Sequence, residues 1–253
     1  MTPSPDSAGL SPDDLPPGAV PLPRPKVARP LTTPPASGTV LVVAPHPDDE
    51  AIGPGATLVM HARAGDAVHA LFVTSGVHGE VAGGEDPQAY VATRQREAEA
   101  AAEVLGIRST TFWGYPDSMV VTDGDLAGVV DRLVALLEEL KPAVVYAPHK
   151  GEAHSDHHYV ALMVERALAA WDGKAAAYGY EVWSPLDADV AVDVASTYTV
   201  KLDAIRRYES QLVHNDICRA VDGLNRYRAV LLPPGGLWAE VFEEWRAPDG
   251  EAG

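Results

Sequence analysis

From residue 39 onward the chain alternates two hydrophobic rhythms. Short apolar runs at 39–44, 67–73, 110–113 and 143–147 read as buried strands, and amphipathic stretches at 54–64, 90–105, 125–140 and 159–170 fall between them at helical spacing. Arg94, Glu97, Ala98, Ala101, Ala102 and Leu105 mark the helix over 90–105, which Gly106 ends. Strand followed by helix, repeated, predicts an α/β fold: a Rossmann-like, mostly parallel sheet with helices on both faces. Beyond residue 170 the pattern weakens. It predicts strands over 175–182 and near 191–194, one helix over 196–211, and a short helical or irregular closing unit over 216–245 with Trp238 and Trp245 packing back.

Residues 1–37 follow neither rhythm and hold eleven of the 22 prolines. They predict an extended Pro-rich arm ahead of a single α/β domain over 38–253. An arm that docks on a partner subunit would suit a homo-oligomer. Its cations Arg24, Lys26 and Arg29 read as solvated.

At 253 residues the chain can bury a real core as one domain. A formal charge of -17 argues against nucleic acid or an anionic membrane surface as partner, because both demand a basic face. No run approaches the ~20 apolar residues of a membrane span. Cys218 stands alone, so no internal disulfide forms. Residues 1–17 lack the basic start and apolar core of a signal peptide, and the expected location is the cytoplasm.

The chemistry collects at two strand ends. His46-Pro47-Asp48-Asp49-Glu50 follows the first strand, and four ionisable groups in five residues repel and desolvate one another unless a cation offsets them. Helix capping accounts for one or two of those carboxylates, not for three beside a histidine. His154-Ser155-Asp156-His157-His158 follows the fourth strand. A catalytic zinc takes three ligands from His, Asp or Glu and keeps a position open for water. His46 and Asp49, three apart, can point the same way; His157 is the expected third ligand, and His158 points about 100° away if helical geometry has begun. The prediction requires the two strands to be neighbours, with ring nitrogens of His46 and His157 within ~7 Å of each other. His61, His69 and His214 read as structural or exposed. His78 and His149 fall on loops near the crevice and receive no role. Gly53-Pro54-Gly55 is not a nucleotide turn, since Leu58 fills the third glycine place and carboxylates would repel a pyrophosphate.

These motifs resemble those of the LmbE-like, or PIG-L, family of zinc-dependent N-deacetylases, whose marks are an AHPDDE-type segment after a strand and a later HxDH. Here they stand as Ala44-Pro45-His46-Pro47-Asp48-Asp49-Glu50 and His154-Ser155-Asp156-His157. The likeness runs through Arg94-Gln95-Arg96-Glu97, Gly114-Tyr115-Pro116-Asp117 and Lys201, Ala204, Tyr208, Ser210 and Gln211. It implies that His46, Asp49 and His157 hold Zn²⁺, a site that accommodates other divalent ions such as iron or cobalt. Asp48 would then be the general base. His154, as a cation, would stabilise the oxyanion or protonate the leaving amine, and Asp156 would back a histidine. Arg94, Glu80, Asp117 and Glu152 are the expected substrate contacts, Glu152 standing where the family has aspartate or tyrosine. The implied activity is hydrolysis of an N-acyl, foremost N-acetyl, amide on an amino-sugar or secondary-metabolite small molecule. Two alternatives are an amidase for larger thiol-sugar conjugates and a non-catalytic metal-containing binding module.

Overall fold

Alternation along β2 (Val40–Ala44) decides the layers. Val40, Val42 and Ala44 enter one apolar layer, Leu41 and Val43 the other, and all five are buried. Such a strand needs cover on both faces. The computed structural model describes residues 26–77, 86–118, 123–213 and 215–245. β2 pairs in parallel with β3 (Val68–Thr74) on one side and β5 (Val144–Pro148) on the other. β4 (Ser109–Tyr115) adds beyond β3 and β6 (Ala176–Tyr180) beyond β5, both parallel.

The layer shared with Val40, Val42 and Ala44 is filled from α2 (Gly55–Ala64), α3 (Pro87–Leu105), α6 (Tyr198–Ile205) and α8 (Ile217–Arg228). The opposite layer is filled from α4 (Asp123–Leu140) and α5 (Ser155–Ala170), through Leu133, Leu137, Val160, Met163, Val164 and Ala167. The predicted mostly parallel sheet with helices on both faces is therefore the observed one. Its strand order turns back between β2 and β5, where an open α/β sheet leaves a crevice at the carboxyl ends of its strands.

Four local readings are corrected. The short helical or irregular closing unit expected over 216–245 has its helix, α8, and Trp238 and Trp245 do pack back, but after a 3-10 turn β8 (Ala239–Trp245) enters the sheet antiparallel between β6 and β7 (Val190–Asp193). The helix expected over 196–211 divides into α6 and α7 (Glu209–Leu212), because Tyr208 leaves helical geometry at φ -83, ψ 58 and sends its hydroxyl to Glu50. A one-turn helix, α1 (Asp49–Ile52), precedes α2. Inside the stretch read as an arm, β1 (Arg29–Leu31) pairs in parallel with β7. There Lys26 lies 2.9 Å from Asp189 and Arg29 pairs with Glu244, so these two cations are bridged at the surface, where such pairs contribute little.

A buried polar knot fastens α2 to the far side of the sheet. Glu240 of β8 accepts from Ala56 N at 2.9 Å, Thr57 N at 2.8 Å and Thr57 Oγ1 at 2.6 Å. Lys201 of α6 stands 2.6 Å from Glu240 and donates to Gly53 O at 2.8 Å, with both charged residues at most 2% exposed. The carboxylate thus caps the positive end of α2. Among the other histidines, His61 is buried between Asp66 and Tyr146, and His69 bonds Ser109. His149 is buried and meets Ser184 O. His78, His214 and the expected contact Glu80 lie outside the described residues.

Candidate metal centre

The two motifs sit where β2 and β5 end side by side, so the required neighbour relation holds. From the end of β2 the chain turns through Pro45-His46-Pro47 into α1, and Asp48 takes φ 133, a conformation that favours glycine. After β5, His154 caps α5 and places Asp156 and His157 in its first turn. His157 is fully buried while His158 is exposed, as the helical offset predicts.

Asp49 Oδ2 is the convergence point. His46 Nδ1 lies 3.2 Å from it and His157 Nε2 3.3 Å, and the three ligand atoms fall within 4.8 Å of one another. Those separations match the ~3.3 Å edge of a tetrahedron built on zinc bonds of ~2.0–2.1 Å. Both ring nitrogens of His157 are buried and lack a hydrogen-bond partner, an arrangement that costs free energy unless something else binds there. Burial works against a charged His46, but hydrogen bonds to Asp156 and Asp49 outweigh it and push the ring up to about 10. Burial likewise opposes a charged Asp49, and His157 and His46 override it, holding the carboxyl well below the usual range. A proton on His46 offsets charge where a divalent cation would do so better, and the residues fit such an ion.

The remaining predicted residues divide by position. Asp48 lines the cleft and is not one of the three converging ligands. Burial pushes its carboxyl up to about 7 against the pull of Arg94, whose Nη2 is 3.4 Å away. Arg94 also donates to Pro47 O, so its charge serves the Asp48 turn from the cleft wall. Asp156 Oδ2 meets His46 Nε2 at 3.0 Å and accepts from Ser118 N at 2.8 Å. A carboxylate behind a ligand imidazole fixes its tautomer and basicity. Asp156→Asn is expected to weaken divalent-metal affinity by about 10–100-fold, read by competition with a chromogenic chelator. His154 Nδ1 accepts from Asp156 N at 3.2 Å, which leaves Nε2 to carry the proton of a neutral ring. Burial and the nearby His157 and His46 favour that neutral form, so a cationic His154 is opposed by its surroundings.

Asp117 is on the cleft wall and accepts from Gly76 N at 2.8 Å, tying the ends of β3 and β4 together. Glu152 is placed elsewhere than its substrate-contact reading requires. It is buried behind His157, with Oε2 3.7 Å from His157 Nδ1, and Oε1 accepts from Val182, Trp183 and Ser184 N at 2.8, 2.9 and 3.1 Å. Glu50 is not a cleft group either. It is buried against Tyr208 OH at 2.5 Å, and burial pushes it up to about 8. Sequence reasoning missed Trp183 as a member of the cleft. The signal existed in Glu181-Val182-Trp183-Ser184-Pro185, which leaves the end of the strand next to β5, but the strand order was needed to see it.

Comparison with known proteins places these residues in context. A 1D-myo-inositol 2-acetamido-2-deoxy-alpha-D-glucopyranoside deacetylase of Kineococcus radiotolerans is 35% identical over 57% of this chain and 49% of its own length. The chain spans about half the length of the first three such curated relatives, at 49%, 54% and 54%. The N,N'-diacetylchitobiose deacetylase of Pyrococcus horikoshii shares the fold at TM-score 0.73 and 22% identity, over 83% of this chain and 84% of that one. A 4-carboxy-2-hydroxymuconate hydratase of Pseudomonas putida does so at TM-score 0.72 and 22% identity, over 85% and 98%. Two reactions on one fold mean that architecture alone does not select the chemistry. The family profile for GlcNAc-PI de-N-acetylase (PIG-L) matches residues 41–168, the stretch that contains both strand-end motifs and their converging ligands, and the chain belongs to that family.

Proposed function

We propose that this protein is a metal-dependent N-deacylase that hydrolyses an N-acyl, foremost N-acetyl, amide on an amino-sugar small molecule, releasing acetate and the free amine. The observation that carries the reading is the convergence of His46, Asp49 and His157 within 4.8 Å beside Asp48, an acid outside that ligand set and on the same cleft. Zinc is the ion assigned, because two imidazoles, one carboxylate and an open position are its usual catalytic set; iron and cobalt would also be accommodated. When bound, such an ion polarises the amide carbonyl and makes water acidic enough to lose a proton near neutral pH.

The protein's own groups do the rest. Asp48 takes the proton from the attacking water at its cleft-facing carboxylate and passes it toward the leaving nitrogen. Arg94 holds Asp48 in position. His154, neutral and protonated at Nε2, donates to the developing oxyanion, a contribution of about 2.7–4 kcal/mol for one well-placed donor. Asp156 keeps His46 oriented.

The test is release of free amine and acetate from methyl N-acetylglucosaminide, abolished by chelation and restored by Zn²⁺, with bound metal counted by elemental analysis. A panel extended to larger thiol-sugar amides separates the runner-up. Absence of amine from every N-acyl compound would leave only a metal-containing binding module. Among the described residues no helix is long and apolar enough to cross a membrane. A cytoplasmic placement, where the lone Cys218 would stay reduced, belongs to the same reading. So does a homo-oligomer, which is checked by light scattering; of the arm expected over residues 1–37, residues 1–25 lie outside the described residues and 29–31 form β1.

A further inference from the structure

Among the described residues, Trp183 is the large apolar side chain on the cleft wall that stands in solvent, 54% exposed. Scattered exposed apolar residues need no explanation, but an indole beside a cluster of metal-ligand type does. Its backbone is fixed from both sides. Glu152 accepts from Trp183 N at 2.9 Å and from the residues before and after it. Ser184 accepts at its hydroxyl from Ala153 N at 2.9 Å and at its carbonyl from His149 Nε2 at 2.8 Å. The same Glu152 faces His157 Nδ1 at 3.7 Å, so one buried carboxylate ties the backbone that carries Trp183 to the converging ligands.

The other walls of the cleft, which holds about 270 Å³, carry Asp117, Arg94, His154 and Gln211. An aromatic side chain that shares one cleft with several hydrogen-bonding groups matches the two-sidedness of a pyranose. Such a sugar presents a face of C–H bonds and a rim of hydroxyls, whereas an acyclic amide has no continuous apolar face. Indole is also a rigid binding surface, with little conformational freedom to lose.

We propose that Trp183 is the specificity-determining platform of this site, stacking on the C–H face of the pyranose that bears the N-acyl group, with Glu152 as its positioning residue. This rests on the deacylase reading for its substrate but not for its test. The metal-loaded full-length protein is titrated with methyl glucosaminide, the amine product, and with ethanolamine as an acyclic control. Indole emission should be quenched saturably by the sugar and not by ethanolamine. Calorimetry should give a Kd weakened at least tenfold in W183A, equal to about 1.4 kcal/mol. W183F, which keeps a flat ring, should recover most of it. In turnover, W183A should lower the ratio of kcat/KM for methyl N-acetylglucosaminide to that for N-acetylethanolamine at least tenfold.

Sugar affinity in W183A within twofold of the parent overturns the platform, as does W183F falling as far as W183A or a parent that binds no methyl glucosaminide. A parent that binds the sugar with the expected quench yet releases no acetate sinks the deacylase reading alone. Acetate release with unaltered W183A affinity sinks the platform alone.

Discussion

Replacing Asp48 with asparagine is expected to lower kcat/KM on an N-acetylated amino sugar by about 10²–10⁴-fold with the bound ion retained. Asparagine is the informative choice because it tolerates positive φ, and Asp48 sits at φ 133, where alanine would add backbone strain to the lost carboxylate. The substitution keeps the shape beside Arg94 and removes the proton acceptor together with the charge that faces Arg94. Since Asp48 is outside the converging set of His46, Asp49 and His157, metal content by elemental analysis should match the parent. Turnover equal to the parent would remove Asp48 as the base. Loss of the ion would instead make it a ligand.

Lys201→Met should be the most damaging single change to stability, at about 3–5 kcal/mol, because it strands the buried Glu240 carboxylate without its counter-charge. For a chain of this size that is a fall in melting temperature of roughly 6–20 °C. The double replacement Lys201→Met with Glu240→Gln should be less destabilising than the sum of the singles, since it removes both charges and keeps one acceptor oxygen for either Ala56 N or Thr57 N. Calorimetric melting of the three variants decides it. Strict additivity would mean that the pair is not coupled.

The central part of the fold was legible because β2, β3 and β5 are buried on both faces, which leaves unbroken apolar runs bounded by turns. β8 was not, for the opposite reason. Ala239-Glu240-Val241-Phe242-Glu243-Glu244-Trp245 carries three carboxylates, and Glu240 is buried only because α2 and Lys201 satisfy it across 184 and 39 residues of sequence. The helix break at Tyr208 depends likewise on Glu50, 158 residues away. In the site, the spacing of His46 and Asp49 follows from one local turn and could be read directly, while the approach of His157 rests on β2 and β5 being neighbours. The placement of Glu152 could not be read directly. Whether a carboxylate after β5 faces the cleft or the backbone of 182–184 is set by the neighbouring β6, which its own motif does not encode.

The late position of β8 in the chain has a bearing on biosynthesis. During translation the His46 turn and α2 leave the ribosome nearly two hundred residues before Glu240, the group that seats the start of α2. Until β8 slots between β6 and β7, Lys201 is a buried ammonium in waiting and the first N–H groups of α2 must stay wet. The start of α2 therefore reaches its final geometry only after synthesis has passed residue 245.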